Sequence, residues 1–415
     1  MVTILTECRI CGGENFETIM SLGHQVMTGT FPKSEEEDVT GGPVDLIRCS
    51  TDKGCGLVQL KQSYDLSEMY GLNYGYRSGL NASMVSHLHS KVDKILSLGV
   101  LERGDLVIDI GSNDATTLKR YPRDHYELVG IDPTGIKFSS YYPPEIGLIP
   151  DFFSAEAVNK ATKGIKAKVI TAFSMFYDLE DPISFAKEIA GALDKEGIWI
   201  FEQSYMPAML KTNSFDTICH EHLDFYGLIQ IEWILDAAGL KVIDVEFNDI
   251  NGGSFSITAT LMESKRPQNI DLIQKILSKE RALCLATSAP YDAFKARVST
   301  EKDKFMHFLS DAKQAGQTVC GLGASTKGNV LLQYYGITKD LISQIGEVNE
   351  DKFGSFTPGT LIPIVSESDV LDNNPDYIVI LPWHFREFFV NLPSLKGCKL
   401  VFPLPKFEII EAGGK

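Results

Sequence analysis

The chain has 415 residues, 44% hydrophobic and 23% charged, which is a globular balance spread over more length than one ordinary core fills, so two or three domains are expected. A formal net charge of -16 excludes a sequence-independent nucleic-acid binder, whose surface must be basic, but leaves room for a local basic pocket for a phosphorylated small molecule. No apolar run is long enough to span a bilayer and no signal sequence is recognisable, so no membrane partner and a cytoplasmic location are expected.

Eight cysteines in that compartment do not read as a disulfide framework, so their spacing needs another reason. In the first segment, residues 1–75, Cys8 and Cys11 form a C-x2-C knuckle, and Cys49 and Cys55 a looser C-x5-C pair. Four thiolates make a closed tetrahedral zinc site, which is structural because no coordination position is left for substrate. The glycines of CRICGG let backbone amides turn toward the sulfurs. The aromatic, glycine-rich stretch from Met69 to Asn81 could line a pocket, and an amphipathic helix from Ala82 to Leu98 opens the next domain.

In residues 76–264, LVIDIGSNDATTLKRY reads as a buried strand, Leu106 to Ile110, a turn at Gly111 to Asp114, and a helix entered at Thr116. One strand later GIDPT places Asp132 about twenty residues on, where a carboxylate can accept both hydroxyls of a ribose. The turn is not G-x-G-x-x-G, and Asp109 and Asp114 put negative charge where a pyrophosphate would sit, which a cationic sulfonium tolerates. A strand from Lys168 to Ala172, a helix from Pro182 to Leu193 and the strand GIWIFEQSY continue the alternation of a parallel sheet covered on both faces. Beyond it, SFDTICHEHLDFYG concentrates His220, Glu221 and His222. Histidine is suited to moving protons near neutral pH. The spacing is not the H-E-x-x-H of metalloproteases, and a solvated loop is the other reading. A helix from Ile229 to Ala238 follows, then strands from Lys241 to Phe247 and Ser254 to Leu261, joined through Asn251, Gly252 and Gly253 in a tight turn that either meets a ligand or is a plain hairpin.

Residues 265–415 open with two helices, Ile270 to Leu285 and a second ending near Ala315, after which the α/β alternation restarts. TVCGLGASTKGNVLLQYYGI reads as strand, turn and helix, with Lys327 and the amides around Gly328 and Asn329 placed to meet a phosphate, although the Walker order is absent. Asn349, Lys352 and Trp383 fall near two further strand ends. A purely structural partner domain is the alternative. Cys284, Cys320 and Cys398 have no ligand spacing and read as small core residues.

Taken together, the four-cysteine module, IDIGSNDATTL, GIDPT, NSFDTICHEHLDFY, NGGS, GLGASTKGN, FTPGTLIPI and LPWHF resemble, over nearly the whole chain, the three-domain S-adenosylmethionine-dependent sugar C-methyltransferases acting on nucleotide-linked 4-keto deoxysugars. The resemblance implies an α/β fold: a central class I (Rossmann-like) methyltransferase domain, a small zinc-binding N-terminal module and a second Rossmann-like C-terminal domain that holds the substrate nucleotide. It implies zinc on Cys8, Cys11, Cys49 and Cys55, and cofactor contacts from Tyr76, Ser78, Asp109, Gly111, Asn113, Asp132, Pro133, Phe152 and Phe153. Substrate contacts fall on Asp178, Cys219, Asn251, Lys327, Asn329, Lys352 and Trp383. His222 becomes the base, with His220 and Glu221 fixing its tautomer or stabilising an enolate. The implied reaction methylates carbon 3 of a nucleotide-linked 4-keto-6-deoxyhexose. The rivals are an O- or N-methyltransferase and a non-catalytic zinc-containing binding protein. The chain departs from the family at Cys219, where tyrosine is frequent, at Asp178, where many relatives have histidine, and at Ala115, where glycine is usual.

Overall fold

The computed structural model describes residues 2–65, 69 and 76–413, so residues 70–75 of the aromatic joint lie outside the described residues. Among the described residues, sheets of four, seven and six strands organise the fold, with a two-stranded pair of Thr3–Ile4 and Gln62–Ser63 beside the first. In the N-terminal sheet, Phe16–Val26, Gly41–Cys49 and Val58–Leu60 run antiparallel. Its outer strand, Asp224–Phe225, comes from directly after the His-Glu-His stretch and pairs with Gln59 and Val58. The Leu60 amide adds a bond to the Leu223 carbonyl at 2.8 Å.

The central sheet runs in the order Leu240–Asn248, Ser254–Leu261, Leu193–Ser204, Ala167–Phe173, Leu106–Ile110, Glu127–Ile131, Ile146–Ile149. Every neighbour is parallel except the pairs made by Ser254–Leu261. That exception follows from the short turn at Ile250–Gly252, since strands joined so tightly can only be antiparallel. Leu106–Ile110 is buried throughout: Leu106, Ile108 and Ile110 face one apolar cluster and Val107 the opposite one, as a strand covered on both sides requires. Helix Ala82–Ser97 covers one face, its start capped by Asn81, whose Oδ1 accepts from Ser83 N at 2.9 Å. The helix expected from Thr116 is absent. A single 3-10 turn, Leu118–Arg120, stands in its place, because Pro122 holds Tyr121 extended and stops the chain from continuing. The turn after Leu106–Ile110 is wound through three left-handed residues, Gly111, Asn113 and Ala115, at φ 69, 50 and 60. For Ala115 that conformation costs on the order of 1 kcal/mol relative to glycine, against which its methyl group is fully buried in an apolar cluster with Leu118 and Tyr121.

The C-terminal sheet runs Ile364–Ser366, Ile345–Glu347, Val319–Leu322, Tyr377–Ile380, Lys399–Phe402, Glu408–Glu411, parallel but for the last pair. The connecting helices divide between two cores. Helix Ile270–Ala282 puts Ile273, Ile276 and Leu277 into the central cluster. Helix Ala289–Gln314 repeats apolar residues every three or four positions at Tyr291, Phe294 and Val298, and again at Phe305, Leu309 and Ala312, and turns them into the C-terminal core. The crossing between them exposes Cys284 at φ 53, which corrects its reading as a core residue; Cys320 is buried and Cys398 part-buried. No helix among the described residues is long and apolar enough to cross a membrane.

Candidate active site

The four N-terminal cysteines converge. Their sulfurs all lie within 4.8 Å of one another, with Cys8 to Cys55 at 3.4 Å and Cys11 to Cys49 at 3.6 Å. Bonds of about 2.3 Å to a tetrahedral zinc put sulfurs roughly 3.8 Å apart, so the cluster fits the metal with little adjustment. The hydrogen bond from Cys55, helped by the Ile10 and Cys11 amides, pulls the Cys8 thiol down to about 5. Burial raises Cys49, and the Cys8 sulfur raises Cys55. The knuckle turns at Gly12, φ 67, whose amide returns to the Cys8 carbonyl at 2.9 Å. Besides the borrowed strand Asp224–Phe225, side chains tie the module to the central domain: Gln230 Nε2 donates to the Cys55 carbonyl at 2.8 Å, and the Arg9 side chain lies 3.7 Å from Asp224.

A cavity at the carboxyl ends of the central strands is lined by Tyr76, Ser78, Asp109, Gly111, Asn113, Asp132, Pro133, Phe152 and Phe153, the whole predicted cofactor set, and also by Asp178. Asp132 is held in place by the protein itself: Oδ2 accepts from Asn113 N at 2.7 Å, and Oδ1 from Thr134 N at 2.7 Å and Thr134 Oγ1 at 2.5 Å. A carboxylate has about four acceptor positions, so roughly one remains for a ribose hydroxyl, fewer than the two expected. The Asn113 side chain clasps the preceding segment, accepting from Ser78 N at 3.0 Å and donating to the Tyr76 carbonyl at 3.3 Å. Asp114 is turned away from the cavity. It accepts from the Gly79 amide at 3.1 Å and lies 3.9 Å from Arg77, so of the two acidic turn residues only Asp109 lines the cavity, together with Asp132, Asp178 and Glu180. Burial pushes Asp109 up to about 7, against a 2.5 Å bond from Thr171 Oγ1. A sulfonium with an amino-acid tail therefore fits this lining, and a pyrophosphate does not.

The His-Glu-His stretch lies between this cavity and the other two sheets. His222 Nδ1 is 2.7 Å from the Thr217 carbonyl, which can only accept, so Nδ1 carries the hydrogen and Nε2 keeps its lone pair. Thr217 thus fixes the tautomer, a role expected of His220 or Glu221. Burial brings His222 down to about 4, and its ring meets Tyr177 edge-on at 4.4 Å, beside the Asp178 that lines this cavity. His220 points elsewhere: it is 0% exposed and packs edge-on against Tyr64 at 4.6 Å. Glu221 is raised by burial, and its Oε1 lies 3.2 Å from where a Cβ on Gly29 would stand, so the N-terminal module forms its wall. Cys219 is buried, and burial followed by Glu221 keeps it a thiol.

The C-terminal residues are tied into neighbouring segments. Trp383 Nε1 donates to Asp216 Oδ2 at 2.7 Å, Lys352 Nζ to the Ala324 carbonyl at 2.9 Å, and Lys327 Nζ to the Asn251 carbonyl at 2.6 Å. At the start of helix Thr326–Tyr335, the Gly328 and Asn329 amides expected to meet a phosphate are engaged within the protein. Ser325 Oγ caps the Gly328 amide at 3.0 Å, the Ser325 carbonyl takes the Asn329 amide at 2.9 Å, and the Asn329 side chain donates to the Thr28 carbonyl at 2.7 Å. Asn349 Oδ1 caps its own loop at Asp351 N, 3.2 Å. Sequence reasoning missed Asp216, Thr217 and Tyr177. The first two lie within the quoted motif, but a backbone carbonyl acting as orienting group has no residue signature.

Residues 8–70 match a zinc-binding domain family, 84–245 a methyltransferase domain family and 249–405 a C-methyltransferase C-terminal domain family. With the sheet order and the lined cavity, this set defines an S-adenosylmethionine-dependent C-methyltransferase that carries a zinc site. Along 99% of its length the chain is similar to C-methyltransferase NovU of Streptomyces niveus, 28% identical over 428 residues that make up 98% of that protein. Solved structures that resemble it include an O-methyltransferase family protein from Burkholderia thailandensis, 19% identical with a TM-score of 0.34 over 45% of this chain and 59% of that one. Another is an S-adenosylmethionine-dependent methyltransferase from Clostridium acetobutylicum, 11% identical with a TM-score of 0.32 over 42% of this chain and 91% of that one.

Proposed function

We propose that this enzyme methylates the carbon next to a ketone, carbon 3 of a nucleotide-linked 4-keto-6-deoxyhexose, after His222 removes the proton from that carbon. The observation behind this reading is the 2.7 Å bond from His222 Nδ1 to the Thr217 carbonyl, which leaves a neutral imidazole with a bare Nε2, its ring packed on Tyr177, the residue before the cavity-lining Asp178. A C–H carbon is no nucleophile until a base takes its proton, whereas an O- or N-methyltransferase has no need of such a base. S-adenosylmethionine supplies the electrophilic methyl group, bound by the cavity residues around Asp132. Glu221, held toward its neutral form by burial, and Cys219 would present hydrogen-bond donors near the sugar. Residues 1–75 would serve as the zinc module, 76–264 as the methyl-transfer domain and 265–415 as the domain that holds the nucleotide. The substrate would be a small molecule, with neither nucleic acid nor membrane as partner, and the location cytoplasmic.

The test uses TDP-4-keto-6-deoxyglucose in deuterated buffer with S-adenosylhomocysteine, which fills the cofactor site but has no methyl group to give. The wild-type enzyme should exchange hydrogen 3 for deuterium, seen by NMR, and His222→Ala should slow exchange and methylation together by about 10²–10⁴-fold. With S-adenosylmethionine, a product bearing an O-linked methyl group, or wild-type exchange in His222→Ala, overturns the reading.

A further inference from the structure

We propose that Lys327 is a further catalytic residue, the cation that meets the enolate oxygen as His222 takes the carbon-bound proton; this rests on the proton-abstraction reading above. Lys327 is the second residue of its helix, and its side chain crosses from the C-terminal domain to the central one. There Nζ donates to the Asn251 carbonyl at 2.6 Å, its one hydrogen bond among the described residues, so two N–H groups remain for a ligand. Asn251 is left-handed at φ 57. A Cβ on the adjoining Gly252 would lie 3.1 Å from Ser214 Oγ and 3.2 Å from the Trp383 ring, so this turn is where the His-Glu-His segment and the C-terminal domain meet. The ammonium is close enough to His222 and His384 to lower their basicity. Its carboxyl neighbour is Asp216, 1% exposed, pushed up by burial and already accepting from Trp383 at 2.7 Å, so it neutralises Lys327 poorly.

The same surroundings argue against a diphosphate at Lys327. The Gly328 and Asn329 amides beside it are already engaged, so they add nothing to the one ammonium that a diphosphate would meet there. A single negative charge that forms on one oxygen suits one ammonium with two spare donors. The chemistry balances. His222 Nε2 takes the proton from the carbon, and the C–H electron pair becomes the C=C bond of the enolate. The former C=O pair moves onto oxygen, facing Lys327. The enolate carbon then forms a bond to the methyl carbon as the S–CH3 bond breaks, the ketone returns, and the imidazolium gives its proton to solvent. His222 is depressed to about 4 in the free site, so proton abstraction by so weak a base depends on stabilising the oxyanion.

The experiment is Lys327→Met, assayed by the same deuterium exchange with TDP-4-keto-6-deoxyglucose and S-adenosylhomocysteine. Exchange at saturating sugar should fall by about 10²–10³-fold, with KM changed no more than several-fold and S-adenosylhomocysteine affinity unchanged as the measure of folding. Ethylamine should restore part of the exchange to Lys327→Ala, and Lys327→Arg should retain part without rescue. A raised KM with wild-type exchange at saturation makes Lys327 a diphosphate ligand and overturns the proposal, as does loss of exchange that neither the arginine variant nor the amine recovers. Exchange retained in His222→Ala but lost in Lys327→Met would sink the base assignment alone.

Discussion

Replacing Asp132 with asparagine, the change nearest in shape, should damage cofactor binding at least as much as replacing it with alanine. Each carboxylate oxygen accepts a backbone amide, Asn113 N on one side and Thr134 N on the other, both at 2.7 Å. A carboxamide has one oxygen, so either orientation presents an NH2 group to an N–H. Alanine removes one hydrogen bond between a ribose hydroxyl and a charged group, about 1.5–3 kcal/mol, or roughly ten- to 150-fold in affinity. Asparagine loses the same charge and turns an NH2 group against one of these N–H groups, a clash that alanine avoids by leaving both amides to water; relieving it displaces the cavity wall, at a further cost on the order of 1–3 kcal/mol. Titration calorimetry with S-adenosylhomocysteine reads both variants without any contribution from the sulfonium charge. Asparagine binding like the wild type would show that neither the charge nor the paired amides matter. Unchanged affinity in the alanine variant would move the ribose away from Asp132 altogether.

Metal analysis of protein purified without added zinc should find about one equivalent per chain, and Cys11→Ser should lower it. Chelation should also release the Leu60 amide, bonded at 2.8 Å to the Leu223 carbonyl, to hydrogen exchange; a metal-free protein with that amide still protected would show the module folding by other means. Asp109 should make cofactor preference depend on pH. Its folded value is raised to about 7, so relative to acid it loses stability for the fold as pH climbs from about 4 through 7, while the charge it gains favours a sulfonium. Between about pH 6 and 8 the affinity of S-adenosylmethionine relative to S-adenosylhomocysteine should rise by about three- to tenfold, and Asp109→Asn should flatten the change; a flat wild-type ratio refutes this.

What the sequence made legible was local or carried by a rigid motif. Leu106–Ile110 is apolar apart from Asp109, a buried strand on any reading, and the loop after it leaves from the carboxyl end of the strand, which is why Gly111 and Asn113 line the crevice, although Asp114 turns back to Gly79. The cysteine pairs were equally readable because four sulfurs have one economical arrangement. What escaped depends on partners far away in the chain. Nothing in Asp224–Phe225 announces a strand of the N-terminal sheet, since its partner Val58–Leu60 is distant in sequence. Asn329 looked like a phosphate contact until Thr28 took its side chain, and the orienting bond to His222 runs to a backbone carbonyl that residue identity does not mark.

The borrowed strand also sets an order of events during synthesis. Val58–Leu60 emerges from the ribosome with one edge paired to Gly41–Cys49 and the other open until Asp224–Phe225 arrives. At translation rates of about 5–20 residues per second, that edge waits on the order of ten to thirty seconds. An open edge is a template for pairing with other chains. Early zinc capture by cysteines that all precede Val58 would keep this sheet compact through the wait, so metal supply would govern the yield of folded enzyme before it governs anything in the finished molecule.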